Sequence, residues 1–115
     1  MKIPEEGKLL RIFVGETDQW QGKPLYEALV LLARKEGVAG ATVLRGFMGF
    51  GRNSRIHTAK ILRLSEDLPV IVEIVDSEER INAFLPHLDD MVKEGLVTLE
   101  KANVILYRSD RKGPA

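Results

Sequence analysis

Cysteine is absent from this 115-residue chain. The protein therefore has no disulfide, no thiolate metal ligand and no cysteine nucleophile, and a reducing compartment is allowed. Histidine is nearly as scarce, since His57 and His87 are the two in the chain. Two histidines so far apart in sequence form no apparent metal-binding cluster. The sequence therefore predicts neither a metal site nor cysteine chemistry.

Net charge and long apolar runs are lacking as well. Lys plus Arg and Asp plus Glu number 17 each, so no overall field attracts nucleic acid or a membrane surface, and no nucleic-acid partner is expected. No apolar run approaches the roughly 18 residues of a membrane span. The N-terminal MKIPEEG has a proline and two glutamates where a signal peptide has its apolar stretch. These features predict a cytoplasmic protein, and a charged fraction of 30%, against a usual value of about 25%, favours a thermophilic source.

The apolar periodicity predicts one domain over residues 1–115, with a tail that frays from about residue 109. Short runs of large or β-branched residues predict strands, and apolar residues at helical spacing predict two helices. The strands are Lys8 to about Gly15, a strand that opens at Ala41–Leu44, a return arm at 59–64, Pro69–Val75, Leu96–Leu99 and Asn103–Tyr107. The helices run from Pro24 to a stop at Gly37, and from a capping box of Asp76 and Glu79 to Gly95.

Two interruptions are expected within these elements. Pro86 lies inside the second helical pattern, so the helix should kink or break near Leu85. Glu100 and Lys101 form a polar break between the last two strand pieces.

The order strand-helix-strand-strand-helix-strand predicts an α+β fold of ferredoxin-like type. Both helices should cover one face of a four-stranded antiparallel sheet, and an extra short C-terminal strand should follow. The central strand Pro69–Val75 has apolar residues on both faces, so its uncovered face predicts an oligomer in which sheets pack together. Glu73 on that face needs a partner across the interface or in a cleft, unless it reaches solvent at a sheet edge.

The segment RGFMGFGRNSRIH, Arg45 to His57, combines glycines, aromatic residues and basic side chains. It fits a long hairpin tip that needs glycines at positive φ and charges for solvation. It also fits a flexible loop that binds an anionic small molecule. Local pattern leaves both interpretations open.

Four motifs carry a resemblance to a known family: GETDQWQGKPLYEA, ATVLRGFMGFGRNSRIHTA, LSEDLPVIVEIVD and GLVTLEK. They resemble the PII-like family known as domain of unknown function 190, and TVLRGFMGFGRN is also similar to the PII nitrogen-regulatory signalling proteins. The resemblance covers residues 10–108 and implies a homotrimer. It further implies a ligand site in each cleft between subunits, at the base of a mobile loop, where PII proteins bind adenine nucleotides.

The resemblance also implies a set of ligand-binding residues, with Thr42 near the adenine and Arg108 at a phosphate. PII proteins hold a triphosphate with several basic groups. Here Leu106 stands in place of one of their arginines, and Lys93 to Gly95 stand in place of a longer basic loop. AMP, ADP or a cyclic adenylate is therefore favoured over ATP, as an effector rather than a required cofactor. The implied set is Thr42, Arg45, Gly46, Gly49, Phe50, Gly51, Arg52, Asn53 and Arg108.

Three functions remain open. The first is a sensor without catalytic residues, which acts on a membrane transporter, channel or enzyme through a loop that is mobile over Arg52–Thr58 without ligand. The second is an acylphosphatase-type enzyme, although its phosphate loop would be the acidic segment 15–18. The third is a metal-handling trimer similar to copper-tolerance proteins. Trp20 is interpreted as an interface or lid aromatic, and the roles of Trp20 and His57 stay open.

Overall fold

A computed structural model of the protein describes residues 6–50, 57–58 and 67–108. The predicted arm at 59–64, most of the Arg52–Thr58 segment and the tail beyond 108 lie outside these residues. In chain order the elements are β1 Glu6–Gly15, β2 Gln19–Trp20, β3 Lys23–Pro24, α1 Leu25–Lys35, β4 Thr42–Arg45, β5 Met48–Gly49, β6 His57–Thr58, β7 Pro69–Asp76, α2 Glu78–Met91 and β8 Leu96–Asn103.

Four of the strands form one antiparallel sheet in the order β4-β7-β1-β8. With the two helices, this arrangement confirms the predicted ferredoxin-like fold. β7 is central, as its run of β-branched residues predicts, and Val72 lies opposite Ile12 of β1 and Val43 of β4. The sheet therefore joins segments that are about 60 residues apart along the chain.

The hydrophobic core lies between the helices and one face of the sheet. Alternate residues of β1 and β7 point into it, because successive side chains of a strand lie on opposite faces. The buried core residues of these two strands are Leu10, Ile12, Val14, Val70, Val72 and Ile74. Leu29 of α1 and Phe84 of α2 meet them there. The opposite face of the sheet has no helix over it among the described residues.

Helix α1 begins one residue later than predicted. Pro24 is its N-cap, with φ −56° and ψ 135°, rather than its first helical residue. The predicted stop is confirmed, because the helix ends at Lys35 and Gly37 adopts φ 78°, in the left-handed region that glycine tolerates best. Val38 then donates its N–H to the carbonyl of Ala33, 3.2 Å away.

The predicted start of helix α2 is wrong by one residue. Ser77 is the N-cap, and its hydroxyl accepts the backbone N–H of Arg80 at 3.2 Å. Asp76 cannot serve as the cap because it is the last residue of β7 and its side chain is fully buried. The helix also continues through Pro86 without the predicted break and ends at Met91, since Phe84 and Leu88 anchor it in the core on both sides of the proline.

β8 is one continuous strand, so the predicted polar break at Glu100 and Lys101 is wrong. Glu100 lies opposite Leu9 and Lys101 lies opposite Lys8 in the β1 ladder. An edge strand tolerates these charges because its side chains reach solvent. Residues 104–108 continue without strand pairing, so the predicted separate strand Asn103–Tyr107 is wrong, and Asn103 is instead the last residue of β8.

Candidate functional site

A cleft of about 420 Å³ opens on the uncovered side of the sheet. One wall is the segment that leads into β4, and the other is the segment that follows β8. The cleft is lined by Ala39, Gly40, Ala41, Thr42, Glu73, Val75, Val104, Leu106 and Tyr107. Small-molecule sites are usually clefts of about 300–1,000 Å³ with a few polar groups among apolar ones, and this cleft has both properties.

Ala39 in the first wall is held through both of its backbone polar groups. Its N–H donates to Asp76 Oδ2 at 2.9 Å, and its carbonyl accepts the hydroxyl of Tyr107 at 3.3 Å. The turn just before it is held as well, because Arg80 Nη1 donates to the carbonyl of Gly37 at 2.9 Å. The wall therefore has a defined backbone position although it lies outside regular structure.

The floor of the cleft carries an ion-pair network. Glu73 lies opposite Thr42 in the sheet register, and its Oε2 accepts Arg11 Nε at 2.8 Å. Arg11 Nη1 also donates to Glu100 Oε1 at 2.9 Å. The hydrogen bond to Glu73, with the charges of both carboxylates, raises the pKa of Arg11 above its ordinary value. Glu73 thus lines a cleft and pairs with Arg11 of the same chain.

Of the implied ligand residues that the structure describes, Thr42 is the one that lines this cleft, and Arg108 is next in sequence to a residue that lines it. Arg108 follows Tyr107 of the opposite wall and is exposed. Leu106, which stands where the PII pattern has an arginine, also lines the cleft.

Arg45, Gly46, Gly49 and Phe50 lie at the other end of β4, away from the cleft. Arg45 is three residues beyond Thr42, roughly 10 Å along a strand. Its Nε and Nη2 contact Glu16 Oε2 and Oε1 at 2.9 and 3.0 Å, so its guanidinium is already paired within the chain. The side chain of Phe50 is 72% exposed. The structure therefore separates the implied residues into two groups, and Gly51, Arg52 and Asn53 lie outside the described residues.

Gly46 and Gly49 are explained by contact with Pro69 rather than by positive φ. A Cβ on Gly46 would lie 2.7 Å from the Pro69 ring, and one on Gly49 would lie 3.0 Å from it. Neither glycine has a φ in the left-handed region. Gly46 also donates its N–H to the carbonyl of Pro69 at 2.7 Å. The positive-φ explanation of the hairpin tip is therefore wrong for these two glycines.

The loop that an acylphosphatase would use for phosphate is already occupied by the chain itself. Gly15 N–H donates to Asp18 Oδ2 at 2.9 Å and Thr17 N–H donates to Asp67 Oδ1 at 2.8 Å. Glu16 and Asp18 donate their N–H groups to backbone carbonyls. Carboxylates and carbonyls accept all four N–H groups, so none is left to bind a phosphate. The acidic side chains of the loop would also repel an anion.

Trp20 lies at the edge of a second concavity of about 570 Å³ on the helical side. It is half-buried and packs against the core from the β2–β3 hairpin, whose turn has Gln21 at φ 47° and Gly22 at φ 83°. Sequence inspection missed this hairpin because Gln is an uncommon residue at positive φ. The concavity contains none of the residues that the resemblance implies.

Within residues 6–50, 57–58 and 67–108, no group of three or more His, Cys, Asp or Glu side chains is arranged to hold a metal ion.

Neither helix of the described chain is long and apolar enough to cross a membrane.

Comparison with known proteins gives a family and a fold. The profile of the domain of unknown function 190 family, described as an uncharacterised ACR, matches residues 7–104. A UPF0166 protein of Aquifex aeolicus is 44% identical over 98 residues, which are 85% of this chain and 92% of that protein.

Two solved structures share the fold at low sequence identity. The PII-like protein CPII of Thiomonas intermedia K12, bound to ADP, AMP and bicarbonate, has a TM-score of 0.64 at 16% identity, covering 90% of this chain and 97% of that one. GlnK of B. subtilis in complex with ATP has a TM-score of 0.57 at 15% identity, covering 89% and 86%. The chain therefore belongs to the domain of unknown function 190 family and has the PII-like form of the ferredoxin-like fold.

Proposed function

We propose that this protein is a PII-like regulator that binds an adenine nucleotide in the cleft beside Thr42. The observation that carries the proposal is the position of Thr42: the residue that the family resemblance places near the adenine opens onto a cleft whose opposite wall leads to Arg108. CPII, which has the same fold, binds ADP and AMP. No covalent step is proposed, and the nucleotide acts as an effector.

The charges around the cleft favour few phosphates. Arg108 supplies one guanidinium, which can hold a phosphate through paired N–H groups. Leu106 supplies none, and Glu73 adds a carboxylate that Arg11 compensates. A ligand with three phosphates would place more negative charge here than one arginine balances. AMP, ADP or a cyclic adenylate therefore fits the cleft better than ATP.

The cleft is open on one side, and we propose that a neighbouring subunit completes it in a homotrimer. The uncovered sheet face beside it carries apolar side chains such as Leu44, Val75 and Leu96, all of them exposed in the single chain. Burial of such a patch against other subunits is favourable by about 25 cal/mol per Å² of apolar surface. The subunits would then meet where the nucleotide binds.

The signal would leave through the hairpin that begins at β5. Phe47 and Met48 are 67% and 58% exposed, close to Phe50. Met48 pairs with Thr58 and Gly49 with His57 across the base of the hairpin. Exposed aromatic and methionine side chains are typical contact residues of protein interfaces. We propose a cytoplasmic partner surface, such as the inner side of a membrane transporter or channel.

Replacement of Arg108 tests the nucleotide site. Arg108→Ala should weaken AMP binding by about 1.5–3 kcal/mol, the scale of a hydrogen bond to a charged group, which is roughly a 10- to 150-fold rise in Kd. Isothermal titration calorimetry with AMP, ADP, cyclic AMP and ATP measures the affinities. Lys93→Ala removes the same charge from another exposed position and should leave the Kd within about twofold of the parent.

Two results would contradict the proposal. One is a parent protein that binds none of the four nucleotides at millimolar concentration. The other is an Arg108→Ala variant with the affinity of the parent.

A further inference from the structure

Asp76 is the fully buried charged side chain of the described chain, and the nucleotide site as proposed makes no direct use of it. It ends β7 with 0% of its surface exposed. Its Oδ2 accepts the N–H of Ala39 at 2.9 Å, and its Oδ1 accepts the N–H of Ser77 at 2.7 Å. Arg80 Nε lies 3.9 Å from Oδ1. Burial of a carboxylate costs free energy unless hydrogen-bond donors replace the lost water. The site therefore needs a side chain that accepts a hydrogen bond at each of its two terminal atoms.

The two N–H donors belong to different parts of the molecule. Ala39 begins the cleft wall that continues to Thr42, whereas Ser77 is the N-cap of α2. Arg80 adds a second link between the same parts, because it donates to the Gly37 carbonyl from the first turn of α2. The wall and the helix terminus are thus joined by two side chains.

The carbonyl of Ala39 is held by the opposite wall. It accepts the Tyr107 hydroxyl, and Tyr107 precedes Arg108. A change in the separation of the two walls would therefore act on the same residue whose N–H Asp76 holds. Asparagine, which has nearly the same shape, could not replace Asp76, since its amide NH₂ would face one of the two backbone N–H groups.

We propose that Asp76 is a positioning residue of the cleft, which fixes the Ala39–Thr42 wall to the N-terminus of α2 and couples ligand binding to that attachment. The affinity part of this inference rests on the proposed nucleotide function. Coupling is reciprocal in free energy. A ligand that holds the wall in place therefore also stabilises this attachment, and loss of the attachment weakens ligand binding.

The test compares Asp76→Asn with Ser77→Ala. Ser77→Ala removes the cap hydrogen bond to Arg80 at the same helix terminus but leaves the Asp76–Ala39 bond intact. NMR of the ligand-free protein measures the hydrogen-exchange rate of the Ala39 N–H. Calorimetry measures the Kd for AMP. Asp76→Asn should speed exchange at Ala39 at least about tenfold and raise the Kd about tenfold, the effect of one lost hydrogen bond. Ser77→Ala should lower the Tm without either effect.

Arg80→Gln serves if Asp76→Asn does not fold, because Arg80 is exposed and its loss removes the Gly37 link. It should also speed exchange in the Val38–Ala39 segment. An unchanged Kd for AMP in Asp76→Asn would overturn the coupling. If that variant fails to fold, an unchanged Kd in Arg80→Gln would do so. Equal Ala39 exchange in the parent and in the variant used would overturn the positioning role.

If the parent binds no nucleotide, the proposed function fails and the exchange measurement still decides the positioning role. Faster Ala39 exchange in Asp76→Asn, but not in Ser77→Ala, then supports Asp76 as the residue that holds the wall.

Discussion

Two aspartates at opposite ends of β7 hold neighbouring loops by the same chemistry. Asp67, just before the strand, accepts the N–H of Thr17, and Asp76, at its last residue, accepts the N–H of Ala39. The consequences differ because Asp67 takes an N–H group of the 15–18 loop, whereas Asp76 is buried and holds the wall of the open cleft. The ligand site proposed above therefore lies at the Asp76 end of the strand.

Gly46 is required by its contact with Pro69, and this can be tested with two matched substitutions. Gly46→Ala should lower the free energy of unfolding by about 1–3 kcal/mol, since the new methyl would overlap a rigid ring. Gly40→Ala meets no atom within 4 Å and has no positive φ, so it should be neutral or raise stability by about 0.4–1 kcal/mol. Urea denaturation at one fixed protein concentration measures both. Equal effects of the two substitutions would contradict the packing explanation.

At the scale of elements, helix α2 continues through an interior proline. Pro86 is the ninth of its 14 residues and is exposed. A proline there donates no N–H and crowds the preceding turn. The helix persists because its buried face, with Ile81, Phe84, Leu88 and Met91, contributes more than the lost bond costs.

Pro86→Ala should therefore stabilise the protein. An interior proline costs about 3 kcal/mol relative to alanine, and part of this is offset because proline also restricts the unfolded chain. We expect a net gain of about 2 kcal/mol in the free energy of unfolding, measured in urea. Asn82→Ala, at another exposed position of the same helix, should change it by about 0.5 kcal/mol or less. A loss of stability in Pro86→Ala would indicate that the proline ring has a packing role.

At the scale of the whole molecule, the two faces of the sheet differ in kind. One face is closed by the helices and holds the core. The other combines apolar residues with the ion pairs of Arg11. Because the pKa of Arg11 is raised above its ordinary, already strongly alkaline value, its contribution to stability would be lost only at strongly alkaline pH. This network therefore stays charged throughout the neutral range, and an interface built on it should not respond to pH there through Arg11.

The oligomeric state tests the role proposed for this face. Light scattering should give the parent a mass three times the 12.9 kDa of one chain. Leu44→Asp, at a position 45% exposed on the uncovered face, should shift the protein toward the monomer. Leu31→Asp, on α1 and 48% exposed, places the same charge on the helical side and should leave the trimer intact. A parent that is monomeric at micromolar concentration would contradict the trimer and the completed cleft.

The sequence by itself determined the elements whose causes are local. The β-branched run of Pro69–Val75 predicts the central strand, and Gly37 predicts the end of α1, because both signals lie within a few residues of the structure that they cause. Their order then restricts the topology to the ferredoxin-like sheet. The family resemblance also led to Thr42, although the cleft that it lines is completed by Glu73 and by the segment after β8.

The tertiary structure decided what depends on distant residues. Arg11 pairs with Glu73 and Glu100, which lie 62 and 89 residues away, and Asp76 meets Ala39 at a separation of 37 residues. No local pattern distinguishes a carboxylate that caps a helix from one that turns into the core, so Asp76 was assigned to the wrong role. Arg45 likewise could not be recognised as the partner of Glu16. These contacts form only when the sheet register brings the strands together, and that register is set by the packing of the whole core.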